Sequence, residues 1–359
     1  MARKNKQKSK ASFLPEIIRE ILLKATVKSL LRCKSVCKEW YSLISDQHFI
    51  KSHYTLSSTD NINYEHHRLV FINGIRTKCL TTCPLHDVLF NKSVSNALVL
   101  ENPLQQPRSR DFMIVGSCNG LMCLFVVDNF TLFIYNPSTR TTNILPGSNQ
   151  GLRISYGFGY DEITHDHKYS LKAGTWKEIG HIPRAIPYND AKFFNGTLHW
   201  AIDDARSDSW DIVSLDLRME TYGEVLQPEY DEGSYRLTLG VFGEWLCVCC
   251  NYYESRVVVV WVMKAYGVKD SWTKLLSISH PSDRFWVPLY TQFHAPLCIS
   301  NDGKLLLQLR TKLVVYDCVN GSYSEIQDLH VFPDVCIVIE SLVSPFAPLG
   351  LGDNNGDEN

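Results

Sequence analysis

The sequence predicts a multidomain chain that combines α and all-β structure: a small N-terminal region of three helices, then a β-propeller of about six blades, one of them truncated. Helical periodicity is confined to residues 12–54. From about residue 66, short segments rich in Val, Ile, Phe, Tyr and Trp alternate with Gly, Asn, Asp and Ser turns, and these segments recur as a repeat. A many-stranded β-sandwich is the competing fold for the second region, but it predicts no repeat.

The helical region begins with a complete apolar face. In FLPEIIREILLKA, apolar residues follow helical spacing from Leu14 to Ala25. Pro15 suits the first position of a helix because the missing N–H would have no partner there. Thr26 can cap a second helix that runs to about Trp40, since its hydroxyl can accept a hydrogen bond from the first turn.

The second helical stretch is too apolar for an ordinary surface helix. KSLLRCKSVCKEW, residues 28–40, is apolar over well over half of its circumference, whereas a surface helix usually shows one stripe of about 100°. A region of about forty residues rarely buries enough surface to fold alone. The cover must come from the propeller of the same chain or from another protein, and the polar segment TLSSTDNINYE (55–65) favours another protein.

The repeat sets the number of blades. Its four clear copies each contain a turn glycine, and these are Gly120, Gly196, Gly243 and Gly303. The spacing of 47 residues between the second and third glycines matches the roughly 40–50 residues of a four-stranded blade. The gap of 76 residues between the first two holds more than one unit, and YSLKAGTWKEI (169–179) has the pattern of half a copy. With weaker segments at 66–100, the count is about six.

These patterns divide the chain into five parts: a basic disordered tail (1–11), helices (12–54), a linker (55–65), the propeller (66–347) and an acidic disordered tail (348–359). The net charge of −2 over 359 residues shows no strong bias toward nucleic acid or membranes. The N-terminus lacks the apolar segment of a secretory signal, and the longest apolar run, VVVVWVM, is far shorter than a membrane span. Twelve cysteines then indicate reduced thiols and a cytoplasmic or nuclear location, or both.

Motifs for catalysis or metal binding are weak. Cys79, Cys83 and His86 lie close in sequence, but structural zinc needs four ligands, usually as two pairs, and no second pair follows at a suitable spacing. CVCC (247–250) is better explained by buried free thiols. No nucleophile elbow, phosphate-binding loop or dinucleotide fingerprint occurs. Basic residues are not clustered with aromatic ones, so we expect no nucleic-acid partner, no metal, no cofactor and no enzymatic activity.

Two long stretches resemble known families. LPEIIREILLKATVKSLLRCKSVCKEWYSLISDQHFIKSHY, residues 14–54, resembles the F-box motif. CNGLMCL…YNPSTR, YGFGYD, LKAGTWKEI, FFNGTLHWA and CISNDGKLLL resemble the F-box-associated repeat region of plant F-box/kelch-type proteins. The resemblance implies a substrate receptor of a Skp–cullin–F-box ubiquitin ligase. Its F-box would dock on a Skp-type adaptor, and through it on a cullin, while the propeller holds a protein substrate.

The resemblance also implies candidate binding residues. The positions that match apolar positions of the F-box motif are Leu14, Pro15, Ile18, Leu22, Leu30, Leu31, Val36, Cys37, Trp40, Leu43 and Ile44. Some of these residues must be internal to the helices and others must face the adaptor, and the sequence does not divide them. For the substrate, Trp286 in SDRFWVPLY (282–290) lies in a connection between units, where a loop side chain could touch a target.

The sequence departs from the family pattern at one important point. After YGFGYD and HDHK the family continues with a further apolar strand before YSL, whereas here Lys168 is followed directly by Tyr169. One blade therefore lacks a strand or more. This leaves open two alternatives to the ligase role: a propeller scaffold that no longer recruits a ligase, and a propeller hydrolase. Carboxylates that converge on the mouth of the central channel would favour the hydrolase.

Overall fold

The structure is a computed structural model, and it describes residues 15–60, 62–74, 78–100, 112–128, 131–145, 156–161, 166–171, 191–204, 209–233, 235–252, 254–279, 296–309, 312–326 and 331–346. Two of the candidate site residues, Leu14 and Trp286, lie outside the described residues.

The N-terminal region contains four helices, not the three that the sequence predicted: α1 (Pro15–Leu23), α2 (Val27–Cys33), α3 (Lys38–Ser45) and α4 (Gln47–Ser58). The predicted second helix does not run to Trp40, because α2 ends at Cys33 and a separate helix, α3, begins at Lys38. Asp46 separates α3 from α4 and caps α4, where its side chain accepts a hydrogen bond of 3.0 Å from the Phe49 N–H. Thr26 caps α2 as predicted, accepting from the Ser29 N–H at 3.3 Å. Helix α4 continues through residues 55–58, which the sequence analysis placed in the linker.

The rest of the described chain forms a β-propeller. Blade 1 consists of β1 (His67–Asn73), β2 (Cys79–Pro84) and β3 (Leu98–Val99), with β22 (Val331–Ile339) from the other end of the chain. Blade 2 consists of β4 (Phe112–Cys118), β5 (Leu121–Val126), β6 (Thr131–Asn136) and β7 (Thr141–Ile144). A hairpin of β8 (Tyr156–Asp161) and β9 (Asp166–Leu171) follows.

Three further four-stranded blades complete the ring. Blade 3 consists of β10 (Lys192–Phe194), β11 (Thr197–Asp204), β12 (Ser209–Asp216) and β13 (Thr221–Glu224). Blade 4 consists of β14 (Tyr235–Phe242), β15 (Trp245–Tyr252), β16 (Val257–Met263) and β17 (Trp272–Ser279). Blade 5 consists of β18 (Cys298–Ile299), β19 (Lys304–Leu309), β20 (Lys312–Asp317) and β21 (Ser322–Glu325).

The predicted count of about six blades is wrong, because the described residues form five four-stranded blades and one two-stranded hairpin. The hairpin lies between blades 2 and 3, which press on it closely. A Cβ at Gly157 would lie 2.6 Å from Leu198 Cδ1 of blade 3, so a larger residue there would require the Leu198 side chain to move. Lys168 and Tyr169 belong to β9, which pairs with β8 without interruption.

The two ends of the chain close the ring. Strand β22 pairs antiparallel with β1 as the innermost strand of blade 1, so the C-terminal strand completes the blade that the N-terminal strands begin. The four turn glycines of the repeat all lie between the first and second strands of a blade and have positive φ. Among the described residues, no helix is both long and apolar enough to cross a membrane.

Candidate functional site

The four helices enclose a small apolar core. Its buried members are Leu22, Leu23, Val27, Leu30, Ile44 and Phe49, together with Leu342 from the C-terminal end of the chain. Three candidate adaptor-binding residues belong to this core, and their exposed fractions are 3% for Leu22, 0% for Leu30 and 0% for Ile44. These three residues therefore belong to the part of the candidate set that the sequence analysis expected to be internal to the helices.

Other candidate residues remain on the surface. Pro15 is exposed, and the exposed fractions of Leu31 and Val36 are 39% and 63%. Ile18, Trp40 and Leu43 are partly buried against the helical core, and Cys37 is partly buried at the start of α3. The candidates thus divide into a buried set, a surface set and an intermediate set, a division that the sequence did not provide.

The structure adds three apolar residues to the surface set. Ile17, Ile21 and Tyr41 are 45%, 60% and 58% exposed. Ile17 and Ile21 are four residues apart, so they lie one turn apart on the same face of α1. Their helical spacing was visible in the sequence, but they do not fall on the apolar positions of the motif. We call Ile17, Ile21, Leu31, Val36 and Tyr41 the exposed apolar set.

Basic residues accompany the exposed apolar set. Between residues 24 and 38 the chain carries five of them and no acidic residue: Lys24, Lys28, Arg32, Lys34 and Lys38. All but Lys34 are exposed. Lys34 is partly buried, which lowers its pKa, and its Nζ lies 5.8 Å from the centre of the Tyr41 ring. The surface therefore combines apolar contact area with positive charge.

Part of the helical region is covered by the propeller. Ile50 of α4 packs against a buried cluster that includes Val115 of blade 2 and Val343. Burial next to Cys118 raises the pKa of the Tyr54 hydroxyl, which is hydrogen-bonded with the backbone of Asn119. The helical region thus has one face sealed by its own chain, and the exposed apolar set lies elsewhere.

The segment between the helices and the propeller is folded. The Asp60 carboxylate accepts hydrogen bonds of 3.1 Å from the N–H groups of both Asn63 and Glu65. Tyr64 is 5% exposed, and its hydroxyl donates to the Ile299 carbonyl at 3.5 Å. Although its sequence is polar and rich in turns, this connection is anchored in the core between blades 1 and 5.

Of the cysteines that were weighed as metal ligands, Cys83, Cys247, Cys249 and Cys250 are buried thiols, whereas Cys79 is partly buried. Burial raises the pKa of Cys83 and of Cys247 to about 12, so both are protonated at neutral pH. Within the described part of the chain, no three His, Cys, Asp or Glu residues are arranged to hold a metal ion.

Comparisons with known proteins agree with this architecture. A family model of the F-box domain matches residues 12–52, and a model of the F-box associated beta propeller domain matches residues 69–316. An F-box/kelch-repeat protein of Arabidopsis thaliana is 30% identical, over 92% of this chain and 95% of its own length. The F-box protein CPR1 of Arabidopsis thaliana is 29% identical, over 91% of this chain and 88% of its own.

A solved nidogen/laminin complex includes a chain with a TM-score of 0.45 and 10% identity, over 77% of this chain and 99% of that one. This likeness is too weak to bear on the assignment. The propeller model alone matches more than half of the chain, and the relatives extend over nearly all of it. The chain is therefore a member of the F-box proteins that carry an F-box-associated β-propeller domain.

Proposed function

We propose that this protein is the substrate-recognition subunit of a Skp–cullin–F-box ubiquitin ligase that acts in the cytoplasm or the nucleus. The F-box docks on a Skp-type adaptor, which connects it to a cullin, and the propeller binds a target protein. The observation that supports this best is the exposed apolar set, which the described part of the propeller leaves uncovered while it seals the α4 side.

The surface has the properties of a binding site. Full burial of one large apolar side chain is worth roughly 1.5–3 kcal/mol, so covering several members of the exposed apolar set can support a stable complex. The basic residues around them favour a partner with acidic groups and would speed association with it.

The mechanism is proximity and requires no covalent chemistry by this chain. By holding the target and the adaptor at once, the protein raises the effective concentration of the target near the charged ubiquitin-conjugating enzyme.

The innermost strands of the propeller also supply few of the carboxylates that a hydrolase would need around the central channel. In the described innermost strands, the sequence carries only two carboxylates, Asp161 and Asp334.

The test is binding to a purified Skp-type adaptor, measured by titration calorimetry. We expect the full chain to bind, and Val36→Asp to weaken binding at least tenfold because it replaces an exposed apolar side chain of the proposed contact with a charge. Val319→Asp is the matched control, since Val319 is 79% exposed on a turn of blade 5. A wild-type chain that binds no adaptor would favour the scaffold, an alternative that the two-stranded hairpin supports. Equal affinity of the two variants would contradict the proposed surface.

A further inference from the structure

The segment that follows the last strand of the propeller lies between the propeller and the F-box. We call residues 341–346 the C-terminal strap. Leu342 of the strap is 7% exposed and is part of the F-box core with Leu30 and Phe49. The next residue, Val343, packs with Ile50 of α4 in the cluster of blade 2. The core of the first domain therefore includes a residue from the far end of the chain.

Blade 2 holds the strap by hydrogen bonds from two asparagines. Asn136, which is fully buried, donates through Nδ2 to the carbonyls of Ser341 at 3.0 Å and Val343 at 2.7 Å. Asn143 donates to the Pro345 carbonyl at 3.0 Å. These bonds satisfy the backbone of a segment that has left the sheet, and they set its position on the blade.

The strap also crosses the turn on which α4 rests. A Cβ added at Gly120 would lie 2.2 Å from Ser341 Cβ, so the strap contacts this turn directly. Tyr54 of α4 interacts with the same turn through Asn119. A second junction lies nearby, where the ring of His53 meets that of His66 edge-on at 5.5 Å, and the Glu340 N–H donates to the His66 carbonyl at 2.8 Å.

The Asn136 side chain makes two sets of hydrogen bonds, one through Nδ2 and the other through Oδ1. Its Oδ1 accepts from the N–H groups of Ser138 at 2.8 Å and Thr139 at 3.2 Å, which caps the turn after β6. Asp216 of blade 3 and Asp317 of blade 5 occupy the same place at the end of the third strand and cap the same turn with a carboxylate. The amide of Asn136 is needed only for the two bonds to the strap, because a carboxylate can cap the turn but cannot donate.

We propose that the C-terminal strap makes the F-box depend on closure of the propeller: the adaptor-binding helices are held in place only once β22 has entered blade 1 and carried Leu342 into their core. Strand β22 is the last part of the ring to be synthesised. A chain with an incomplete or open propeller would therefore present a weakened F-box and recruit the adaptor poorly. The effect on adaptor recruitment rests on the proposed function, whereas the coupling of the two domains does not.

The experiment is hydrogen exchange of the full chain with Asn136→Asp, which keeps the turn cap and removes both donors to the strap. We expect exchange at least tenfold faster in residues 341–346 and in α4, with blade 3 unchanged. Asp216→Asn is the matched control and should exchange like the wild type. Faster exchange of the strap with α4 unchanged would overturn the proposal.

A second variant covers the case in which Asn136→Asp destabilises the whole propeller. Leu342→Ser leaves blade 2 intact and should also speed exchange in α4 at least tenfold, and unchanged α4 exchange in this variant would overturn the coupling. Adaptor affinity measured on the same samples should fall at least fivefold for Asn136→Asp and not for Asp216→Asn. If the wild-type chain binds no adaptor, the proposed function fails, while the exchange data still decide the coupling.

Discussion

Successive residues of β1 pack against the two different neighbouring blades. In α2, by contrast, one of two successive leucines lies in the F-box core and the other is exposed on its surface. Leu69 and Phe71 pack toward blade 5, while Val70 and Ile72 pack toward blade 2, and all four are at most 1% exposed. In α2, Leu30 is fully buried while Leu31 is 39% exposed. A blade is thus covered on both faces by its own chain, and the F-box on only one. Successive apolar residues are therefore buried on both sides in β1, whereas in α2 one of them remains exposed.

The largest loss of stability is expected for a substitution in the buried contact between blades 1 and 5. Phe71→Ala should lower the free energy of unfolding by about 3–5 kcal/mol, because it leaves a cavity between blades 1 and 5. Urea unfolding measures this loss. Phe346→Ala provides the control, since Phe346 is 61% exposed and its truncation should cost less than about 0.5 kcal/mol. Similar losses for both variants would show that the contact between these blades contributes no particular stability.

The next prediction is that the two neighbouring leucines of α2 differ in their effects on stability and on adaptor binding. Leu30→Ala should destabilise the F-box by about 2–5 kcal/mol because Leu30 fills its core. Leu31→Ala should leave stability nearly unchanged and weaken adaptor binding about tenfold, because only its exposed surface is lost. Thermal unfolding and adaptor titration of the two variants measure both quantities. The distinction between core and surface in α2 fails if Leu31→Ala unfolds the helices or leaves the affinity intact.

Much of the architecture could be predicted from the sequence, because periodicity and repeats are local signals. Four turn glycines placed four blades correctly, but the gap between Gly120 and Gly196 was counted as a further, truncated blade, whereas the described residues there form a two-stranded hairpin. A strand count depends on which segments pair, and the sequence of β9 alone does not show that the described unit has two strands.

The exposed apolar set was harder to predict because residues 28–40, taken as one helix, are apolar on nearly all sides, whereas the structure divides them between α2 and α3. Leu22, Leu30 and Ile44 match the motif as well as Val36 does, and only their packing shows that they are internal. No pattern in the sequence indicates that Leu342 belongs to the F-box core, since this contact joins positions about three hundred residues apart in the sequence.

Acid should destabilise the propeller through His199, which is buried between blades 3 and 4. Its Nδ1 lies 3.2 Å from the Lys192 carbonyl and its Nε2 lies 2.7 Å from the Tyr266 hydroxyl, an arrangement that suits a neutral ring. Burial lowers the pKa of His199 to about 4 in the folded state. The unfolded chain then takes up the proton first, so stability is complete above pH 6.5 and is lost as the pH falls toward 4.

The expected size of this loss is about 3 kcal/mol, since a difference of one pKa unit corresponds to about 1.4 kcal/mol. Urea unfolding between pH 4 and pH 7.5 measures it. His199→Gln cannot titrate, so its stability should vary less with pH over that range. Parallel curves for the variant and the wild type would show that another group controls the acid response. Burial also lowers the pKa of His53, where α4 meets the propeller, so part of the response should persist in the variant.

The smallest effect concerns charge on the F-box. Lys28→Glu should weaken adaptor binding by about two- to fivefold and mostly slow association, because exposed charge pairs are worth about 0.2–1 kcal/mol and act mainly on the encounter. Stopped-flow association at low and high salt measures this, and the difference between variant and wild type should shrink as salt screens the charges. Arg218→Glu is the control, because Arg218 is also exposed but lies on a turn of blade 3. If both variants slow association alike, the net charge of the whole chain guides the adaptor; if only Lys28→Glu does, the basic residues around the exposed apolar set guide it.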